Sequence, residues 1–206
     1  MSYENSYHAR LAQEKRRAVL DAAVTRFLTH GYERTSLQDI AKDAGISTAT
    51  VFKHFPAKAE LFGAIMAQVW DAAPDASPLI PPPGDPRAGL TAIGLDYARL
   101  LRQPDIESLF RVIIAEAPRF PELGQALYEK GKKPYLDRLH GYLAREAAAG
   151  TLSIDDVPLA ARQFLGMIND VIFWPRFLVV SLVITEDEVR RVVAAAVETV
   201  LARFRP

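Results

Sequence analysis

Lys53, His54 and Lys58 close a short run, SLQDIAKDAGISTATVFKHFPAK (residues 36–58), in which cations follow small and hydroxyl-bearing residues at helical spacing. Such a set can approach a polyanion closely and neutralise it, so the first question is what would hold these side chains on one surface. Ser36 is placed to cap a helix, with Asp39 three positions on as its capping-box partner. Leu37, Ile40, Ala41 and Ala44 then recur on one face. Gly45 follows where a helix commonly ends on a left-handed residue, and Ile46 can plug the corner. Ser47 is placed to cap a second helix, whose Val51 and Phe55 face inward at a spacing of four. Thr48, Ala49, Phe52 and Lys53 then share an outer arc of roughly 140°, with Thr50 beside them and Thr35 just ahead of the first helix. Two short helices joined by a glycine corner, the second presenting small residues and an amine, are suited to a DNA major groove.

Lys58 makes a separate argument. FPAK followed by AELFGAIM is a fresh helix start, and a cation beside the positive end of a helix dipole is unfavourable unless an anion lies nearby. A DNA phosphate held by Lys58 and the free amides of that helix start, with His54 close in sequence, would be such an anion; a solvated surface lysine is the alternative.

The stretch GISTATVFKHFPAKAELF, preceded by RRAVLDAAVTRFLTHGYERTSLQDIA, resembles the N-terminal domain of TetR/AcrR-family transcriptional regulators over residues 14–66. The resemblance implies an all-helical homodimer whose N-terminal helices bind a palindromic operator and whose divergent C-terminal domain binds a small inducer. Phe52 stands where those proteins mostly carry a tyrosine that meets a phosphate, and Ala57 where a polar cap is common.

Composition sets the bounds. With 206 residues, half of them hydrophobic, the chain can bury a substantial core. Its 25 basic and 25 acidic residues cancel, so attraction to DNA has to be local. There is no cysteine, which removes thiolate metal sites and disulfides and makes a cytoplasmic location the default. The longest apolar run, Val171 to Ile184, is interrupted by Pro175 and Arg176, so no membrane partner is expected. No nucleophile elbow, zincin motif, phosphate loop or dinucleotide fingerprint occurs, and the four histidines are scattered. Neither an enzyme, a bound cofactor nor a metal is expected.

Residues 10–30 form a long amphipathic helix ending at Gly31, which should brace the two short ones. Arg10, Lys15, Arg16 and Arg17 are secondary candidates for phosphate contact, or else solvated. Asp71 to Pro86 holds six of the fourteen prolines and divides the chain. A helix-turn-helix domain is therefore expected over 1–58, helix 59–71 leading onward, and an effector-binding and dimerisation domain over 72–206. Helices are predicted at 87–102, 105–117, 122–149 (kinked by Pro134), 158–174 and 187–204, with no alternating strand, so the class is all-α.

In the last helix Val189, Val192, Val193, Ala196, Val197, Val200, Leu201 and Phe204 follow three- and four-residue spacing and demand a partner helix, from this chain or its twofold mate. Reading a palindrome needs two reader helices about 34 Å apart, so the helices from Pro158 and Asp187 are expected to pair across a dimer axis. A small hydrophobic or aromatic effector would suit the dense apolar residues in between: Tyr97, Phe110, Ile114, Tyr128, Phe164, Met167 and Phe173. Glu116, Asn169 and Asp170 would orient it, although an ordinary core and its caps have the same appearance. A helical ligand-binding or protein-interaction module without DNA binding is the alternative to a DNA-binding repressor.

Overall fold

The computed structural model describes residues 2–71 and 82–206. Most of the proline connector expected at 71–86 lies outside the described residues. Every regular element among them is a helix. In chain order these are α1 (Ser2–His30), α2 (Leu37–Asp43), α3 (Thr48–His54), α4 (Lys58–Asp71), α5 (Pro86–Leu101), α6 (Ile106–Glu116) and α7 (Pro121–Ala126). A π-helical turn (Leu127–Lys132) leads into α8 (Lys133–Ala148), followed by α9 (Val157–Ile172), α10 (Trp174–Leu178) and α11 (Glu186–Arg203).

The π turn answers the expected kink. Pro134 has no N–H to donate and its ring crowds the carbonyl four residues earlier, and the helix widens into a π turn just ahead of it.

The chain forms two compact units, Met1–Val69 with Ser108–Gly131, and Trp70–Glu107 with Lys132–Pro206. Neither is continuous in sequence. The first has a core of Leu20, Ala23 and Phe27 from α1, Leu37 and Ile40 from α2, Val51 and Phe55, and Leu61, Phe62, Ile65 and Met66 from α4. Leu109, Ile113 and Leu123, from α6 and α7, complete that core, so the reader helices are braced by residues far beyond the connector.

In the second unit α5, α9 and α11 pack on one another, with α8 and α10 against α9. Gly94 sets the spacing: a Cβ there would lie 2.7 Å from Val193 and 3.2 Å from Ile168 and Phe164. The apolar face of α11 (Val189, Val192, Val193, Ala196, Val197, Val200) is buried within this same unit. Its partner helices are therefore α5 and α9 of its own chain, and only its opposite face, with Ala194, Ala195 and Ala202, remains for another molecule. Prolines start α5, α7, α8 and α9, where a missing N–H costs nothing, and Asp85 and Asp156 cap α5 and α9.

Candidate nucleic-acid interface

Local chemistry fixes the two short helices. Ser36 accepts from Asp39 N–H at 3.1 Å while the Asp39 carboxylate accepts from the Ser36 N–H and hydroxyl, a complete capping box. Those bonds, aided by Arg26, hold the Asp39 carboxyl below its usual range. Gly45 turns the corner at φ +65°, which a side chain would strain. Ser47 caps α3 through Thr50 N–H at 3.3 Å, and its hydroxyl also lies 2.8 Å from that of Thr50.

Val51 and Phe55 are buried, and Thr48, Ala49, Phe52, Lys53 and His54 are exposed on the other side of α3; Thr50 is half-buried. The outer arc of this helix is thus an open surface of small side chains, one ring and one amine. Arg26 on α1 ties α2 in place through a bidentate pair with Asp43 (2.5 and 3.0 Å), and that pairing lowers the Asp43 pKa. Arg16 lies 5.0 Å from the Phe55 ring, so one of the secondary phosphate candidates packs on the end of α3. Arg10 and Arg17 pair with Glu14 and Asp21 along α1. Nothing in the spacing of Arg26 or Arg16 singled out these contacts, because both act on residues distant in sequence.

Two expected contact residues are placed otherwise. Thr35 is buried, its hydroxyl donating to the Gly31 carbonyl at 2.8 Å. Lys58 turns away from the reader surface: its ammonium donates to the carbonyls of Tyr32 (2.5 Å), Thr35 (2.8 Å) and Glu33 (3.3 Å). An ammonium has three donors, and here three backbone carbonyls take them. The cation at the start of α4 is therefore offset by the carbonyl dipoles of the turn that follows α1 rather than by an anion. Tyr32 closes this junction, stacking with Phe27, Phe62 and Phe120 and directing its hydroxyl to Glu122 at 3.4 Å, while Arg119 holds Glu33 bidentately at 2.6 and 2.8 Å.

The expected effector residues fall into separate groups. Phe110, Ile114, Glu116 and Tyr128 belong to the first unit. Ile114 and Tyr128 are exposed there, and Glu116 lies beside the Gly31 turn, 3.0 Å from where a Cβ on that glycine would be. Glu116 therefore lies near the Lys58 junction, where its carboxylate favours the charged ammonium.

Tyr97, Phe164, Met167, Asn169, Asp170 and Phe173 belong to the second unit. Tyr97, Phe164 and Phe173 are buried, Met167 and Asn169 half-buried and Asp170 exposed. Tyr97 stacks 5.3 Å from Tyr135, which in turn meets Trp70 edge-on at 6.1 Å. The Trp70 indole N–H is buried without a hydrogen-bond partner among the described residues, and the Tyr135 hydroxyl donates to the Ile93 carbonyl at 3.2 Å. Trp70 was not among the sequence candidates, since it reads as the end of an ordinary amphipathic helix. Among the described residues no cluster of three or more acidic or histidine side chains could hold a metal, and no helix is long and apolar enough to cross a membrane.

Comparison with known proteins bears on both halves of the chain. Residues 19–65 match the model of bacterial regulatory proteins of the tetR family, and residues 88–206 match that of the AefR-like transcriptional repressor C-terminal domain. The regulator YezE of Bacillus subtilis (strain 168) is 26% identical over 147 residues, covering 69% of this chain and 75% of that protein. AcrR of Shigella flexneri is 38% identical over 60 residues, which is 29% of this chain and only 26% of AcrR.

Among solved structures, a protein of Mesorhizobium loti MAFF303099 assigned to the TetR family is 31% identical with a TM-score of 0.79, covering 95% of this chain and 98% of its own. The flavonoid-responsive regulator FrrA is 28% identical with a TM-score of 0.76, covering 93% and 97%. Regulators of this kind bind DNA and form dimers, and they are not enzymes. With a capped helix-turn-helix in the region of one family model and a helical second unit matching the other, the chain belongs to the TetR family of transcriptional regulators.

Proposed function

We propose that this regulator is a repressor that holds a palindromic operator as a homodimer and releases it when a small, flat aromatic molecule binds the second unit. The observation that supports DNA contact through α3 is its open outer arc: Thr48, Ala49, Phe52 and Lys53 are exposed while Val51 and Phe55 anchor the helix below. In this reading Ser36, Ser47 and Thr50 set the helix starts near the sugar-phosphate backbone, Lys53 and His54 add local charge, and Thr35 and Lys58 position the reader without touching DNA. A location in the cytoplasm follows from that role.

The aromatic effector is supported by Trp70, Tyr97 and Tyr135, whose rings adjoin and which leave one indole N–H unpaired for a carbonyl or phenolic oxygen. FrrA, similar over nearly its whole length, is a flavonoid-responsive regulator. Helices α4 and α6 each contribute residues to both units, so an effector that prefers one arrangement of the second unit can alter the spacing of the two readers.

The test is a gel shift on the DNA upstream of the protein's own gene, with and without flavonoids. Specific retardation relieved by a flavonoid, and less so in Trp70→Phe, is expected. Retention of no DNA at low salt would overturn the reading of α3, and effectors restricted to strongly charged metabolites would overturn the aromatic assignment.

A further inference from the structure

The outward side of α3 carries little hydrogen-bonding chemistry. At about 100° per residue, Lys53 stands directly opposite the midpoint of the buried pair Val51 and Phe55, with Ala49 about 40° from that outermost line and Phe52 about 100° from it. Thr48 is rotated farther still. Thr50, the other near neighbour, is half-buried, and its hydroxyl lies 2.8 Å from that of Ser47 within the helix cap. Ala49 and Lys53, four residues apart on one row and both exposed, are therefore the side chains that a groove facing this helix meets first. No Arg, Asn, Gln, Asp or Glu occurs in the helix, TATVFKH. Bidentate amide pairing with adenine, arginine pairing with guanine and carboxylate pairing with cytosine are thus not available from α3.

We infer that Ala49 is a specificity-determining residue that reads the C5-methyl group of a thymine. The inference rests on α3 entering the major groove, as proposed above, and adds what the helix recognises there. The Ala49 side chain ends at its Cβ and offers neither donor nor acceptor. A polar base edge brought against it would lose water without gaining a partner, whereas the thymine methyl projects into the groove and loses only apolar surface. So short a side chain also lets the helix come close enough for the two methyl groups to touch. Cytosine or uracil at the same step leaves a gap. Lys53 follows one turn later, and four residues rise about 6 Å, close to two base-pair steps of ~3.4 Å. The thymine therefore lies within about two base pairs of the position that Lys53 contacts, and a twofold dimer repeats it in the other half-site.

Deoxyuridine differs from thymidine in this one methyl group, so it isolates the contact. The probe is the duplex that the wild-type protein selects most strongly from a random-sequence pool, with each thymine replaced in turn by uracil. At one thymine per half-site the replacement is expected to weaken binding on the order of threefold, and about tenfold when both half-sites are changed. At that step 5-methylcytosine is expected to bind about threefold better than cytosine, since it restores the methyl alone. Ala49→Gly is expected to bring the thymine-to-uracil affinity ratio there close to one. Because the ratio is taken on a single protein, a general loss of stability or affinity in that variant does not move it, and the uracil scan itself needs no variant. The sensitive thymine is expected within about two base pairs of the position whose preference changes in Lys53→Ala. Selected duplexes that bind equally well with uracil at every thymine overturn the inference. So does an Ala49→Gly protein that keeps the wild-type ratio, or a sensitive thymine farther than that from the Lys53 position. A selection that enriches no sequence at all would instead sink the reading of α3 beneath it.

Discussion

The Lys58 ammonium lies 2.5 Å from the Tyr32 carbonyl and 4.3 Å from the centre of the Tyr32 ring, so one residue of the α1–α2 turn meets the cation with both its backbone and its side chain. The turn that aims α2, and through it α3, is thereby fastened to the first residue of α4. Burial lowers the Lys58 pKa, and the nearby carboxylates of Glu116, Glu122 and Glu33 oppose that shift.

Lys58→Ala should therefore strand three carbonyls and cost about 1–3 kcal/mol of stability. It should weaken DNA binding through a misplaced reader while leaving the salt dependence unchanged. A lysine on a phosphate would instead remove close to one unit from the slope of log affinity against log salt. Fluorescence anisotropy at several salt concentrations checks this, and a slope reduced by about one would return Lys58 to the DNA.

Lys53 is the contrasting case, exposed on the outer arc of α3. Lys53→Ala is expected to reduce operator affinity and to change the ranking of operator variants. Binding measured on a panel of single-base changes reads the result directly.

Phe52 is exposed on the same arc and lacks a hydroxyl. Phe52→Tyr adds a donor where related readers meet a phosphate, and one such bond contributes ~1 kcal/mol, a gain of about fivefold in affinity. Unchanged affinity in a titration at fixed salt would show that the ring points away from the backbone of the duplex.

Gly89 on α5 faces the fully buried Tyr142: a Cβ at this position would lie 1.8 Å from the tyrosine hydroxyl. Gly89→Ala must displace a packed ring, at a cost of about 1–3 kcal/mol and a fall in Tm of several degrees. Thermal unfolding followed by circular dichroism is the measurement.

Glu146 is fully buried, yet its carboxylate accepts from Gly84 N–H at 3.1 Å and from the Thr151 hydroxyl. Burial opposes its ionisation, but those hydrogen bonds, with the nearby Tyr142 hydroxyl, prevail and hold its pKa below the ordinary 4.5. A carboxyl whose pKa is depressed on folding adds stability that is fully present above about pH 4.5 and is lost as pH falls through the lower folded value. Glu146→Gln should lower stability at neutral pH by about 1–3 kcal/mol and flatten the acid limb of the stability profile. Urea unfolding between acid and neutral pH tests both effects.

The reader was legible in the sequence because its determinants are local. Ser36 with Asp39, Gly45, and Ser47 with Thr50 each act over three residues or fewer, and the inward pair Val51 and Phe55 fixes by rotation alone which side of α3 faces out. Helix positions were legible for the same reason, since prolines, caps and 3.6-residue periodicity speak within one or two turns.

What needed the tertiary structure was every choice between partners distant along the chain. Lys58 could reach a phosphate or the end of α1, and only the packing of α4 against α1 sends it to the carbonyls of Tyr32, Glu33 and Thr35. The apolar stripe of α11 announced that a helix must cover it, and the fold supplied α5 and α9 of the same chain. The residues of α6 and α7 joined the reader's core although they follow the connector, and this divided the expected effector set between the two units. Periodicity states which face is buried but not against what, because the free energy of burying an apolar stripe is indifferent to the covering helix.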